Sequence, residues 1–120
     1  MRIHEAIFRV DELNKNTFKT GDKILWLSQL DGMVHQQILV PHGEKKEFEG
    51  YSPEGTDEST VLLVPEPYSD MYLLWLESKM HYYSGEYERY NNAAAEFAAA
   101  YQSYADSVNR ETPSPSGQFK

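Results

Sequence analysis

The sequence predicts a mainly α fold: a small bundle of about four helices, closing on a long C-terminal helical hairpin, with an extended arm or loose β-hairpin at residues 41–64. Three observations predict it. The larger apolar residues at Tyr87, Tyr90, Ala94, Phe97, Tyr101, Tyr104 and Val108 recur every three or four positions, one face of a long helix. Leu73, Leu76, Met80 and Tyr83 keep that spacing ahead of it, and Ser84 with Gly85 forms a small polar break where the chain can reverse. Between residues 41 and 67 the periodicity stops, and Pro41, Gly43, Gly50, Pro53, Gly55, Pro65 and Pro67 exclude a helix.

Taken in order, Ile3, Ala6, Ile7, Val10 and Leu13 mark a short amphipathic helix that must dock to be stable. After a polar, turn-like stretch at 14–20, Thr20 or Asp22 can cap a second helix over residues 22–39. This helix has two adjacent apolar stripes, Ile24, Leu27, Val34 and Ile38 beside Trp26, Leu30 and Met33, so it should touch two neighbours. Asp31 stands on the first stripe where an apolar residue is expected. Gly32 follows it at a cost of about 1 kcal/mol relative to Ala, explained either by a tight helix crossing or by plain imperfection.

Two pieces of the insert look extended, residues 47–51 and 60–64, separated by the turn-like 52–55. A connection of this length is usually functional or mobile. The extended pieces favour a projecting arm or hairpin, with a disordered insert as the other reading. Pro67 suits the first turn of the third helix, with Ser69 or Asp70 as alternative caps. The run MYLLWL at 71–76 is apolar on every side and needs cover from a third helix or from a partner. The last helix, residues 86–109, is rich in alanine and about 35 Å long. Residues 1–110 thus form a single domain with the 41–66 segment inserted. Residues 111–120 form a tail, disordered in isolation or ordered against a partner.

Of 120 residues none is cysteine, which excludes disulfides, thiolate metal sites and a cysteine nucleophile. No apolar run reaches the roughly 18 residues that span a bilayer, and acids interrupt the amino-terminal stretch where a signal peptide needs an apolar core. A protein made inside the cell, with no membrane partner, is expected. The net charge of −8 is concentrated after residue 40, where residues 41–64 carry six acids against two lysines. Such a balance argues against a grip on nucleic-acid phosphates and favours solubility.

Phosphate-cradling loops, zinc motifs and calcium loops are missing from the sequence. The four histidines are dispersed, and His35, His42 and Glu44 lack the usual spacing of a shared metal site. Glu86 and Glu88 read as favourable charge at a helix start rather than as a catalytic pair. The serines have no partnering base. The expectation is therefore a protein without enzymatic activity, cofactor or metal. What remains is surface: Trp26, Leu30 and Met33 on the second helix, Phe48 and Tyr51 in the insert, Tyr72 and Trp75 in MYLLWL, and Tyr82, Tyr83, Tyr87, Tyr90, Tyr101 and Tyr104 exceed what one small bundle can bury. These are the candidate subunit and partner contacts of a homo-oligomer or a larger assembly.

Four segments together carry a resemblance: ILWLSQLDGMVHQQIL (24–39), FEGY (48–51), LLVPEPYSDMYLLWLESKM (62–80) and GEYERYNNAAAEFAAAYQSYADSVNR (85–110). They resemble small tailed-bacteriophage and prophage proteins similar to the head-tail connector, or adaptor, proteins of long-tailed phages. The patterns WL..LDG, VPEPY and GE..RYNN, in this order, are the ones that carry it. Val108 before Asn109 and Arg110 departs from the aromatic residue that such proteins often have there. The resemblance implies a helical virion protein of the neck, made in the bacterial cytoplasm and assembled as a ring, commonly of twelve copies. Such a ring sits beneath the portal protein, carries stopper or tail-completion proteins, and lets DNA pass without specific binding. Acidic side chains lining its bore would repel DNA, whereas a bore lined by Arg2, Arg9 and Lys23 would contradict that idea. The reading from another class is a small acidic phage binding protein, an inhibitor or DNA mimic.

Overall fold

The computed structural model describes residues 1–111, so the expected tail lies outside the described residues from position 112 onward. Four α-helices are present: α1 (Ile3–Leu13), α2 (Thr20–Val34), α3 (Met71–Tyr83) and α4 (Tyr87–Glu111). The expected mainly helical bundle with a C-terminal hairpin is what forms. Ile3, Ala6, Ile7 and Val10 of α1 are buried as their spacing requires, but Leu13, at the frayed end of the stripe, is exposed.

The second helix begins at Thr20, and neither Thr20 nor Asp22 caps it; Lys19 stands at the cap position without a side-chain bond. It continues beyond Val34 through a π turn (His35–Leu39) and a 3-10 turn (Val40–His42). Pro41 offers a physical reason for the change of winding. It has no N–H for the carbonyl four residues back, and its ring crowds that carbonyl, so a regular α turn cannot continue through it. Gly43, at φ 102°, then ends the run, with its amide on the Val40 carbonyl (3.0 Å) and the Glu44 amide on the Leu39 carbonyl (2.9 Å). Gly85, at φ 75°, ends α3 with the same pair of bonds, Gly85 to Tyr82 (3.1 Å) and Glu86 to His81 (2.9 Å). The reversal expected at Ser84 and Gly85 is therefore a left-handed helix stop followed directly by α4.

Residues 43–70 correct the expected arm. Among the described residues no strand forms; one antiparallel bridge pairs Arg2 with Val61, and residues 47–51 and 60–64 do not pair with each other. Nor does the segment project or stay disordered, because the start of α1 needs it. The amides of Ile3 and His4, which no helical carbonyl can reach, donate to the carbonyls of Thr60 (3.0 Å) and Glu58 (2.9 Å). Leu62 returns the favour by donating to the Met1 carbonyl (2.9 Å). Tyr51, Leu62 and Val64 enter the core, so the insert closes the bundle instead of leaving it.

α3 is the central element and packs against α1, α2 and α4. That position answers the need for cover at MYLLWL: Met71, Tyr72 and Leu76 are fully buried, and Leu73, Leu74 and Trp75 are half-buried. No outside partner is required there. The helix starts four residues after Pro67, with Asp70 at the cap position but without a side-chain bond; the Ser69 hydroxyl donates to the Glu66 carboxylate instead. α4 lies along α3 on one side only, with Ala93, Tyr104 and Ser107 buried and much of its remaining surface open.

Gly32 has a definite neighbour: the insert, rather than another helix, crosses α2 there. A Cβ at this position would stand 3.9 Å from the Phe48 ring, ordinary contact distance. The glycine is thus tolerated without being required, so Gly32→Ala should stabilise the fold by up to about 1 kcal/mol in urea unfolding. A loss of stability would mean that Phe48 cannot accommodate the added methyl group.

Candidate interaction surface

Aromatic residues converge where α2, α3 and the start of α4 meet. Tyr82 and Tyr83 occupy the last turn of α3, Gly85 reverses the chain, and Tyr87 and Tyr90 occupy the first turn of α4. Because neighbours on a helix point about 100° apart, Tyr82 and Tyr83 flank α3 on two sides. Tyr83 stacks on Trp26 of α2 (5.7 Å between ring centroids, 6° between planes), and Phe18 meets Trp26 edge-on at 5.5 Å. Tyr82 stands edge-on to Tyr83 at 5.2 Å and lies 5.3 Å from Tyr90. A second row runs from Trp75 to Phe97 (5.0 Å) and on to Tyr101 (5.7 Å).

Between the two rows lies a groove of about 440 Å³ lined by Trp75, Ser78, Lys79, Tyr82, Tyr83, Tyr90, Ala94 and Phe97. Lys79 Nζ sits 4.6 Å above the Trp75 ring, a cation–π arrangement, and partial burial pushes the pKa of its ammonium down. The Trp75 indole N–H donates to the Trp26 carbonyl (2.7 Å), which fixes the groove floor to α2. On the rim, Tyr82, Tyr83 and Tyr87 remain 49%, 59% and 60% exposed. Large apolar rings this open, packed chiefly on one another, form a surface of the kind that partners cover.

Of the residues expected to make contacts, the structure brings Trp26, Trp75, Tyr82 and Tyr90 together at this surface. Tyr101 extends it, half-buried, with its hydroxyl donating to Gln37 (2.7 Å). Leu30, Tyr51, Tyr72 and Tyr104 must be corrected: all four are buried in this chain's own core and offer a partner no surface. Trp26 is buried as well, with only a small part of its surface left open beside Phe18 and Tyr83. Met33 and Phe48 are half-buried away from the groove, with Phe48 packed edge-on to Tyr51 at 5.2 Å. Phe18 was missed because it stands in a polar stretch with no periodicity. Tyr83 and Tyr87 stand among the surplus tyrosines of the sequence, whereas Phe97 read only as a packing residue of the long helix and Lys79 gave no signal.

His35 and His42 do not converge: His35 bonds to the Lys46 carbonyl (2.7 Å), and His42 bonds to the Ile38 carbonyl (2.7 Å) and Asn109 (2.8 Å). Among the described residues no group of three or more potential metal ligands gathers, and no helix is long and apolar enough to cross a membrane. Lys23 is buried, its ammonium donating to Asp11 (2.8 Å) and the Phe18 carbonyl (3.1 Å), so it cannot line any bore. The chain matches no known protein family, no curated protein and no solved structure.

A cluster of perturbed ionisable groups lies elsewhere, in the core. Asp31, fully buried, accepts hydrogen bonds from the hydroxyls of Tyr51 (2.5 Å) and Tyr72 (2.6 Å) and from the Leu63 amide (3.0 Å). Burial pushes its pKa above the ordinary 3.8, and the three donors pull it back without cancelling that effect. Both phenols are driven upward, by burial first and then by the neighbouring carboxylate, and stay protonated as donors. With no exposed atom for a substrate to meet, this cluster is a structural knot. An acid whose pKa is raised on folding contributes most stability below its unfolded value and loses it as pH rises through the folded one. Asp31→Asn has one acceptor oxygen for three donors and should cost about 1–3 kcal/mol. Because it resembles the neutral acid, the loss should be larger near about pH 4 than near about pH 7, read from unfolding curves of both proteins. A loss that grows with pH would show that the donors outweigh burial.

Proposed function

We propose that the chain is a structural assembly subunit: a head-tail connector, or adaptor, of a tailed phage that forms a ring under the portal, extends the DNA channel and joins capsid to tail. On this reading it performs no reaction and belongs to the virion neck. Its partners are further copies of itself, commonly twelve to a ring, the portal protein, and stopper or tail-completion proteins. The observation that carries the reading is the open aromatic surface at the α3–α4 turn, where Tyr82, Tyr83 and Tyr87 are 49–60% exposed beside the groove. A chain that buries Leu30, Tyr72 and Leu76 completely, yet leaves these rings in water, has a surface suited to permanent partners.

The sequence resemblance gives that surface its context. The segments that carry it cover most of α2, α3 and α4, and the last two of these line the groove. The net charge of −8 suits a channel wall past which DNA slides. The same charge favours a second reading, a small acidic phage binding protein acting as an inhibitor or DNA mimic. Stoichiometry separates the two. Electron microscopy of the protein mixed with the portal protein of the same phage or prophage should show an added ring at the narrow end of the portal. Absence of added density, with the protein remaining a monomer or dimer, would move the weight to the binding-protein reading.

A further inference from the structure

The groove between Trp75 and Tyr90 has the chemistry of a site for a proline-rich segment, and this chain's own sequence includes one. A polyproline II segment is favoured by pre-set φ angles at its prolines and has no internal hydrogen bonds, so its carbonyls are free to accept. Aromatic-lined grooves bind such segments by packing rings against prolines and donating to those carbonyls. Here five rings line the groove, and Lys79 stands among them as a donor. The hydroxyls of Tyr82, Tyr83 and Tyr90 have no bond to another described residue, unlike those of Tyr51, Tyr72 and Tyr101. Residues 112–116 read Thr-Pro-Ser-Pro-Ser, and residues 112–120 hold no acid and one lysine in a chain whose remainder carries all of the acidic excess. Without an acid, that segment can approach another copy without adding negative charge to it.

Geometry decides which copy supplies the strand. Tyr90 lies twenty-one residues before Glu111 on α4, about 32 Å away at 1.5 Å per residue, and even Phe97 lies about 21 Å back. Pro115 follows Glu111 by four residues and reaches at most about 14 Å when fully extended. The proline pair therefore cannot enter the groove of its own chain. We propose that residues 112–116 of one copy dock as a polyproline II strand in the aromatic groove of a second copy, between Trp75 of α3 and Tyr90 of α4. The contact joins two different surfaces, so each copy gives one strand and receives one, and repetition closes a ring or extends a filament. The inference rests on the assembly reading above and supplies its subunit joint.

Complementation between two full-length variants tests it, with mass read by analytical ultracentrifugation. Pro113→Gly/Pro115→Gly removes the strand and keeps the groove; Tyr82→Ser/Tyr90→Ser does the reverse. The wild-type chain should associate with rising concentration, and each variant alone should associate at least about tenfold more weakly. Mixed, the two should form a one-to-one pair and nothing larger, since only one intact joint remains. A wild type that stays monomeric at millimolar concentration overturns the proposal, as does a strand variant that assembles like wild type or a mixture that yields no pair. The strand variant alters no helix, so it decides the matter even if the groove variant fails to fold. Wild-type assembly on the portal with an unaffected strand variant would remove the strand joint and leave the ring reading standing. Failure to add to the portal, with the pair still forming, would do the opposite.

Discussion

The structure depends on one buried carboxylate. Asp31 gathers donors from three parts of the chain that are distant in sequence: Tyr51 and Leu63 from the insert and Tyr72 from α3. Tyr72 passes the connection on, because its oxygen accepts the Val64 amide at 2.7 Å while its proton goes to Asp31. The insert has little secondary structure with which to satisfy its own backbone, so these bonds hold its second half on the bundle. From there it supplies the carbonyls that complete the start of α1. A residue that looks like an interruption of an apolar stripe is the reason a long irregular segment has a fixed place.

That arrangement sets which aromatic residues remain at the surface. The insert and α1 cover one side of α2 and α3, taking Tyr51 and Tyr72 into the core. On the other side α3 is met by α4, which begins directly after the Gly85 stop. Four tyrosines within nine positions therefore gather around one turn, too many for two helix ends to enclose. The fold hides the apolar run that looked most in need of a partner and leaves open the surplus tyrosines around the turn.

Periodicity made the helices legible, since α1, the α3–α4 reversal and the long last helix each follow from repeats of three or four and from a glycine at the break. Local signals misled at the helix starts: Thr20, Asp22, Ser69 and Asp70 have the chemistry of caps, but only Asp70 stands at a cap position and none of them makes a side-chain cap bond. The insert was illegible for a different reason. Its order comes from bonds to Asp31, Met1 and the first amides of α1, all made across long sequence separations that no local pattern records. The surface was half legible. Trp26, Trp75, Tyr82 and Tyr90 were identifiable as surplus aromatic residues, whereas sorting them from Tyr72 and Tyr104 required knowing that α3 is covered on three sides.

A surface built on exposed rings needs a rigid frame behind it, and the Asp31 knot provides that frame by locking the insert to α2 and α3. Amide hydrogen exchange at Leu63 and Val64 measures this most directly, because their amides donate to Asp31 and Tyr72 within an otherwise irregular segment. Both should exchange as slowly as core amides of α3, in step with global unfolding. Exchange as fast as the exposed amides of the same segment would mean that the carboxylate does not hold the insert, and the account of the fold would have to be abandoned.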